Sequence, residues 1–333
     1  MRHLREGSDR VHEYDRGMRM IALEEHLLPR DVMTAIGVNS ATLLGQSDAL
    51  DDLGDGRLHS MDAAGIDVQV LSALGHAVQE LDPDPALAVS RDLNDRMAAT
   101  VAAHPGRFRA FATLPMCDPK ASAAELSRAV GELGFIGAMI HGQTHGVFLD
   151  DPSAEPVLAT AERLGVPVYL HPAEPPPAVR AAYFSGLQPA VAGMLATAGW
   201  GWHAECGLHV LRMVVGGVFE RFPGLQVIVG HMGENLPFSL ARADERLTPL
   251  ATGLSATVAD TVLQHVHVTT CGYTTTPPLL CALMVFGADR MLFSVDYPFS
   301  DSLHAAAFLR DAPLSRADKE KIAHSNAERL LRL

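Results

Sequence analysis

The stretch "IALEEHLLP" (Ile21–Pro29) sets the problem that the rest of the chain answers. Apolar residues that read as a buried strand run into Glu24, Glu25 and His26, three groups that lose hydration if buried, and the chain then turns. Side chains on a strand alternate faces, so Glu24 and His26 point one way and Glu25 the other. Such an end is either a strand surfacing into water or the first half of a metal site. An i, i+2 pair on one face is what a strand can present to a single ion.

Seven further runs share this character, giving eight candidate strands: 18–26, 68–74, 107–115, 135–142, 167–172, 225–233, 265–272 and 290–298. Segments rich in Ala, Leu, Glu and Arg lie between them and read as helices, for example 85–105, 122–134 and 154–165. Continuous apolar strands separated by helices predict a parallel sheet covered by helices. Eight such units predict an α/β fold of the (β/α)8 TIM-barrel type rather than an open doubly wound sheet. No G-x-G-x-x-G follows the first strand, which argues against a dinucleotide-binding domain. Irregular insertions at roughly 27–56 and 172–200 follow strands 1 and 5, on the face where barrel active sites form.

The 333 residues suit one barrel domain, and 48% apolar residues supply a large core. Residues 1–17 are polar and charged without an apolar h-region. They read as a disordered extension before a single domain over 18–333, with Met18 a candidate functional start. A net charge of −13 without a basic stripe argues against nucleic acid and anionic membrane surfaces as partners. No apolar run approaches the roughly 18 residues of a membrane helix. The four cysteines (117, 206, 271, 281) form no C-x-x-C pair and read as free thiols in a reducing cytoplasm.

Several strands end in polar groups. Glu24-Glu25-His26 closes strand 1, His141 strand 4, His171 strand 5, His231 strand 6 and Asp296 strand 8. A single histidine after a strand is more often incidental. Glu24, His26, His171, His231 and Asp296 at the same end of four strands would cost several kcal/mol to desolvate unpaired. A bound divalent cation removes that penalty, and oxygen and nitrogen ligands without thiolate suit Zn²⁺, Mn²⁺ or Fe²⁺.

From about Arg19 to "NAERLLRL" (326–333) the sequence resembles the amidohydrolase superfamily. The branch is the one that holds aminocarboxymuconate-semialdehyde decarboxylase and the ortho-hydroxybenzoate (resorcylate, 2,3-dihydroxybenzoate, carboxyvanillate) decarboxylases. "ALEEH", "MDAAGID" (61–67), "VPVYLHP" (166–172), "VIVGHMGENLPF" (227–238), "VTTCG" (268–272) and "GADRMLFSVDYPF" (287–299) carry the likeness. The resemblance implies metal ligands Glu24, His26, His171 and Asp296, and a His231/Glu234 pair beside the metal. It implies Arg242 near the substrate carboxylate, and Arg57 as an arginine that in some relatives reaches a neighbouring subunit's site, a surface role being the alternative. Two-metal relatives often carry a carboxylated lysine after strand 4. The lysines here are Lys120, Lys319 and Lys321, so one divalent ion per chain (Zn or Mn) is expected.

The implied reaction is a reversible, non-oxidative decarboxylation of an ortho-hydroxybenzoate-type aromatic acid. Asp296 protonates a ring carbon, His231 oriented by Glu234 handles the hydroxyl, and no organic cofactor takes part. The same ligands permit the alternative, a metal-bound water attacking an amide or lactone with Asp296 as base. His141 replaces the Asn that many resorcylate-type relatives place after strand 4. With His145 it either meets a ring substituent or sits in a wet loop. Trp200, Trp202 and His203 fall together at a helix start. Trp202 is a candidate substrate contact, with packing on the barrel as the alternative. The family implies a homodimer or homotetramer.

Overall fold

The computed structural model describes residues 17–38 and 43–333. The predicted extension over 1–17 therefore lies, apart from Gly17, outside the described residues. Eight parallel strands follow in chain order. They are β1 (Ile21–Leu27), β2 (Val68–Ala73), β3 in two segments (Phe108–Ala110 and Ala112–Thr113) and β4 (Ala138–His141). β5 (Val168–His171), β6 (Val227–Val229), β7 (Val266–Thr269) and β8 (Met291–Leu292) complete the set. Each lies in or within a residue of a predicted strand.

The ring closes through main-chain bonds. Phe111 N–H donates to Leu71 O (2.9 Å) and Ala112 N–H to Gly137 O (2.9 Å), which ties the interrupted β3 to both neighbours. Beyond β8, Tyr297 pairs with Glu25 in a parallel bridge and accepts from His26 N–H at 2.7 Å. The fold is thus a TIM barrel, as the alternation of strands and helices predicts.

The strands are apolar on both faces because both are covered. Ile21, Leu23, Val68, Val70, Phe111, Met139, Tyr169, Ile228 and Leu292 fill the lumen. Ala327 and Leu331, from the helix Asn326–Leu331, close it below. A larger cluster joins the outer strand faces to the helices. The helices are set by local signals. Asp118 caps Pro119–Gly131 by accepting from Lys120 and Ala121 N–H. Gly165 (φ 65°) ends Glu155–Leu164.

β1 departs from simple alternation. Ala22 pairs with Gln69 but Glu25 with Leu71, so β1 carries one extra residue. Leu23 and Glu24, adjacent in sequence, both face the lumen. The bulge switches β1 from lining the core at Ile21 and Leu23 to presenting Glu24 and His26 at the barrel mouth.

The insertions read as irregular contain helices in part. Arg30–Ala35 and Ser47–Asp51 lie in the first, Pro177–Phe184 and Pro189–Ala196 in the second. Proline masks the second pair in the sequence, yet each has proline in its first turn, where its missing N–H is no loss.

Candidate metal centre

Four of the predicted ligands come together at the C-terminal ends of the strands. One ligand atom each from Glu24, His26, His171 and Asp296 lies within 4.8 Å of the others. Glu24 Oε1 is 3.2 Å from His171 Nε2 and 3.8 Å from His26 Nε2, and Asp296 Oδ1 is 3.3 Å from His26 Nε2. The supporting bonds aim these atoms inward. His171 Nδ1–H donates to Pro172 O at 2.7 Å, which leaves Nε2 with its lone pair. His26 Nδ1 meets Ser72 Oγ at 3.2 Å. The second Glu24 oxygen accepts from the Tyr169 hydroxyl and from Cys271 Sγ (2.8 Å). Glu24 Oε1 and His26 Nε2 are buried and have no hydrogen-bond partner. Two carboxylates and two imidazoles converging on one point, two of their atoms orphaned, fit a divalent cation.

Electrostatics give the same picture. Burial would raise the Glu24 carboxyl, but His231, His171 and His26 outweigh it and hold it well below the usual range. Burial would lower His26, yet Asp296 and Glu24 push it up to about 9. Without a cation, a proton is drawn to His26 by these carboxylates, the field that would also attract a metal.

His231 stands one step out. Its Nδ1 pairs with Glu234 Oε1 at 2.6 Å, and its Nε2 is 3.7 Å from Asp296 Oδ2. Glu234 is fully buried, and its other oxygen bonds His203 Nδ1 at 2.6 Å, whose Nε2 reaches Ala198 O. Hydrogen bonds thus link His203, Glu234 and His231, with Asp296 standing 3.7 Å beyond the last imidazole. His231, Met232, Glu234, Asn235 and Asp296 all have positive φ (47° to 74°). That conformation costs about 1–3 kcal/mol per residue. The hydrogen bonds around His231 and Glu234 hold the turn in place. Gly230 lets it approach β1: a Cβ there would lie 2.7 Å from Glu24 Oε2.

His141 is buried beside the centre rather than in a wet loop, its ring 4.5 Å from that of His171. Both its ring nitrogens lack partners, and burial with His171 and His26 nearby holds it well below the usual histidine range. Trp202 lies 6.4 Å from His171, ring to ring, with its Nε1 also unpartnered, while Trp200 is exposed. His145 is solvent-facing, near Glu80.

The two arginines depart from expectation. Arg57 is buried, and its donors are taken by His26 O (2.5 Å), Asp52 O (3.0 Å) and Gln69 Oε1 (3.3 Å). Its guanidinium lies over the Tyr297 ring at 4.5 Å. It therefore braces β1 behind Glu24 and His26, with its donors engaged inside the chain. Arg242 sits on the outer helix Leu236–Leu247, its side chain 65% exposed and paired with Glu245 at 2.8 Å. Within one chain it does not enter the site. The family resemblance placed it near the substrate carboxylate; its helix begins beside the site but then runs outward.

Sequence reasoning gave no role to Tyr169 or Cys271 and placed His203 only at a helix start. Tyr169 sits two residues before His171, so alternation puts it on the same face, a signal that was available. Cys271 and His203 offer none, since folding alone brings them beside Glu24 and Glu234.

The fold, the ligand set and the buried hydrogen-bond network define the class: the chain belongs to the amidohydrolase family, whose profile matches residues 25–333. Among its relatives are decarboxylases. It is 40% identical over 331 residues to decarboxylase orsB of Emericella nidulans, covering 94% of this chain and 97% of that one. It is 36% identical to the gamma-resorcylate decarboxylase of Polaromonas sp., covering 94% and 98%. The solved structure of a dihydroxybenzoic acid decarboxylase from Polaromonas sp., with bound manganese and the inhibitor 2-nitroresorcinol, superposes with a TM-score of 0.86 at 36% identity, covering 94% and 97%.

Proposed function

We propose that this protein is a metal-dependent, non-oxidative decarboxylase of an ortho-hydroxybenzoate-type aromatic acid. The observation that carries it is the orphaned pair Glu24 Oε1 and His26 Nε2 at a four-residue ligand set, in a chain 36% to 40% identical to decarboxylases. Glu24, His26, His171 and Asp296 would hold one divalent ion, and the manganese in the similar solved structure favours Mn²⁺ over Zn²⁺. Bound there, such an ion supplies Lewis-acid polarisation of the substrate's phenolic and carboxylate oxygens.

The chain's residues carry the proton chemistry. Asp296 delivers a proton to the ring carbon that bears the carboxylate. The C–COO⁻ bond then breaks, its electron pair restores the aromatic ring, and CO₂ leaves. His231 Nε2 returns the proton to Asp296 Oδ2, with Glu234 and His203 fixing its tautomer and charge. Run in reverse at high bicarbonate, the same steps carboxylate the ring. His141 and Trp202, with three unpartnered nitrogens between them, offer hydrogen bonds to ring substituents. A neutral imidazole supplies one donor and one acceptor, which matches a further hydroxyl better than a second carboxylate. No step calls on an organic cofactor.

We propose a homodimer or homotetramer, because Phe238 (91% exposed) and Met284 (86%) stand on adjoining helices as large apolar groups in water. Four free cysteines support a reducing, cytoplasmic setting. Among the described residues, no helix is long and apolar enough to cross a membrane.

The test is metal analysis with a turnover screen. One divalent ion per chain and CO₂ release from an ortho-hydroxybenzoate are expected. Turnover only of lactones or esters would overturn the reaction, and failure to take up Mn²⁺ or Zn²⁺ would overturn the site.

A further inference from the structure

At the end of the barrel away from the metal ligands lies a cavity of about 440 Å³, within the range of small-molecule sites. Its walls come from the segments entering β5, β6 and β8, from His267 on β7, and from the C-terminal helix. Three arginines line it: Arg290, Arg329 and Arg332. Many arginines of this acidic chain hold a carboxylate, as Arg96, Arg128 and Arg212 do. These three do not, among the described residues. Arg290 Nη1 faces His267 Nε2 at 3.3 Å, Arg329 donates to Asp289 O and Asn326 Oδ1, and Arg332 lies against Gly165. The one acid on the wall, Asp289, is engaged by Lys321 at 2.8 Å. His267 is buried, and its Nδ1 has no partner.

The local field is positive. Burial and then Arg290 and Arg329 hold His267 down to about 3, and burial with Arg329 also lowers Arg290. Like charges gathered round a hollow, with an unsatisfied nitrogen in its wall, are relieved by an anion. Planar forks of N–H donors match tetrahedral oxyanions, and the cavity exceeds what a bare phosphate fills. We propose that this cavity binds a small organic phosphate monoester, its phosphate held by Arg290, Arg329 and Arg332.

The test is calorimetric titration of the full-length, Mn²⁺-loaded protein with ribose 5-phosphate and with inorganic phosphate, against NaCl at matched ionic strength. Saturable one-to-one binding is expected, with ribose 5-phosphate at least as tight as phosphate. Arg332→Gln, near the chain end, and Arg290→Gln should each weaken it at least about tenfold. Asp296→Asn should leave it unchanged. Absence of heat beyond the NaCl control, tighter binding of inorganic phosphate than of ribose 5-phosphate, or unchanged binding in either arginine variant that folds overturns the proposal. Loss of binding in Asp296→Asn overturns it too, since the anion would then sit at the metal centre. Arg332→Gln keeps the test open if Arg290→Gln does not fold.

Discussion

At the scale of single residues, the site turns on which carboxylate of Glu24-Glu25 faces the ion. Glu25 points the other way, accepting from Val295 N–H (2.9 Å) and Gln69 Nε2 (3.0 Å), and burial pushes its carboxyl up to about 8. Its neutral form is favoured at pH 7, so an amide is a close substitute. Glu25→Gln should keep its metal, while Glu24→Gln should lose at least about 10–100-fold in affinity, measured by metal titration. The reverse result would place the ion on the other face of β1. Asp296→Asn should lower kcat by about 10²–10⁴-fold, the usual contribution of a positioned acid. Glu234→Gln should lower it by about 10–100-fold, because His231 would lose its orienting charge. The convergence of Glu24, His26, His171 and Asp296 was legible because each sits at the end of an apolar run, whereas Glu234 as the partner of His231 came from the family resemblance. Arg57 and Arg242 were not legible, since nothing in a helical segment tells which way a long side chain turns once the barrel is packed.

At the scale of elements, the turn after β6 is pressed against β1 through Gly230. In Gly230→Ala the new methyl meets Glu24 Oε2, with Cys271 Sγ and Glu234 Oε1 each 3.3 Å away. A loss of about 1–3 kcal/mol in stability and weaker metal binding are expected, read by thermal melts with and without Mn²⁺. The helix Gly201–Val215 is pinned elsewhere by His209, whose Nε2 accepts from Leu149 N–H at 2.8 Å. Burial holds this histidine down to about 3, against about 6.5 in the unfolded chain. A depressed folded value means that its contribution is complete above pH 6.5 and is lost as pH falls toward 3. His209→Gln keeps the acceptor and removes the titration, so its melting temperature should fall less steeply with pH over that window. An equal slope in both proteins would remove His209 from the account.

For the whole molecule, the eight-fold alternation was readable because parallel strands covered on both faces leave a continuous apolar trace. The helices within the two insertions were hidden by proline and by their shortness. The proposed homo-oligomer would cover Phe238 and Met284, large apolar groups left in water on adjoining helices. Phe238→Glu or Met284→Glu should reduce the mass seen by light scattering on a sizing column to that of one 35.6 kDa chain. A wild-type protein already of that mass would show that this face stays in water.

The extra residue in β1 has a consequence for how this sequence can vary. With Leu23 removed, Ala22 would face out, Glu24 in, Glu25 out and His26 in, which is plain alternation. The bulge is thus slack that a one-residue deletion takes up, at the cost of the lumen packing that Leu23 provides. A one-residue deletion of Leu23 should therefore lower the melting temperature yet still bind the metal, read by thermal melts and metal titration.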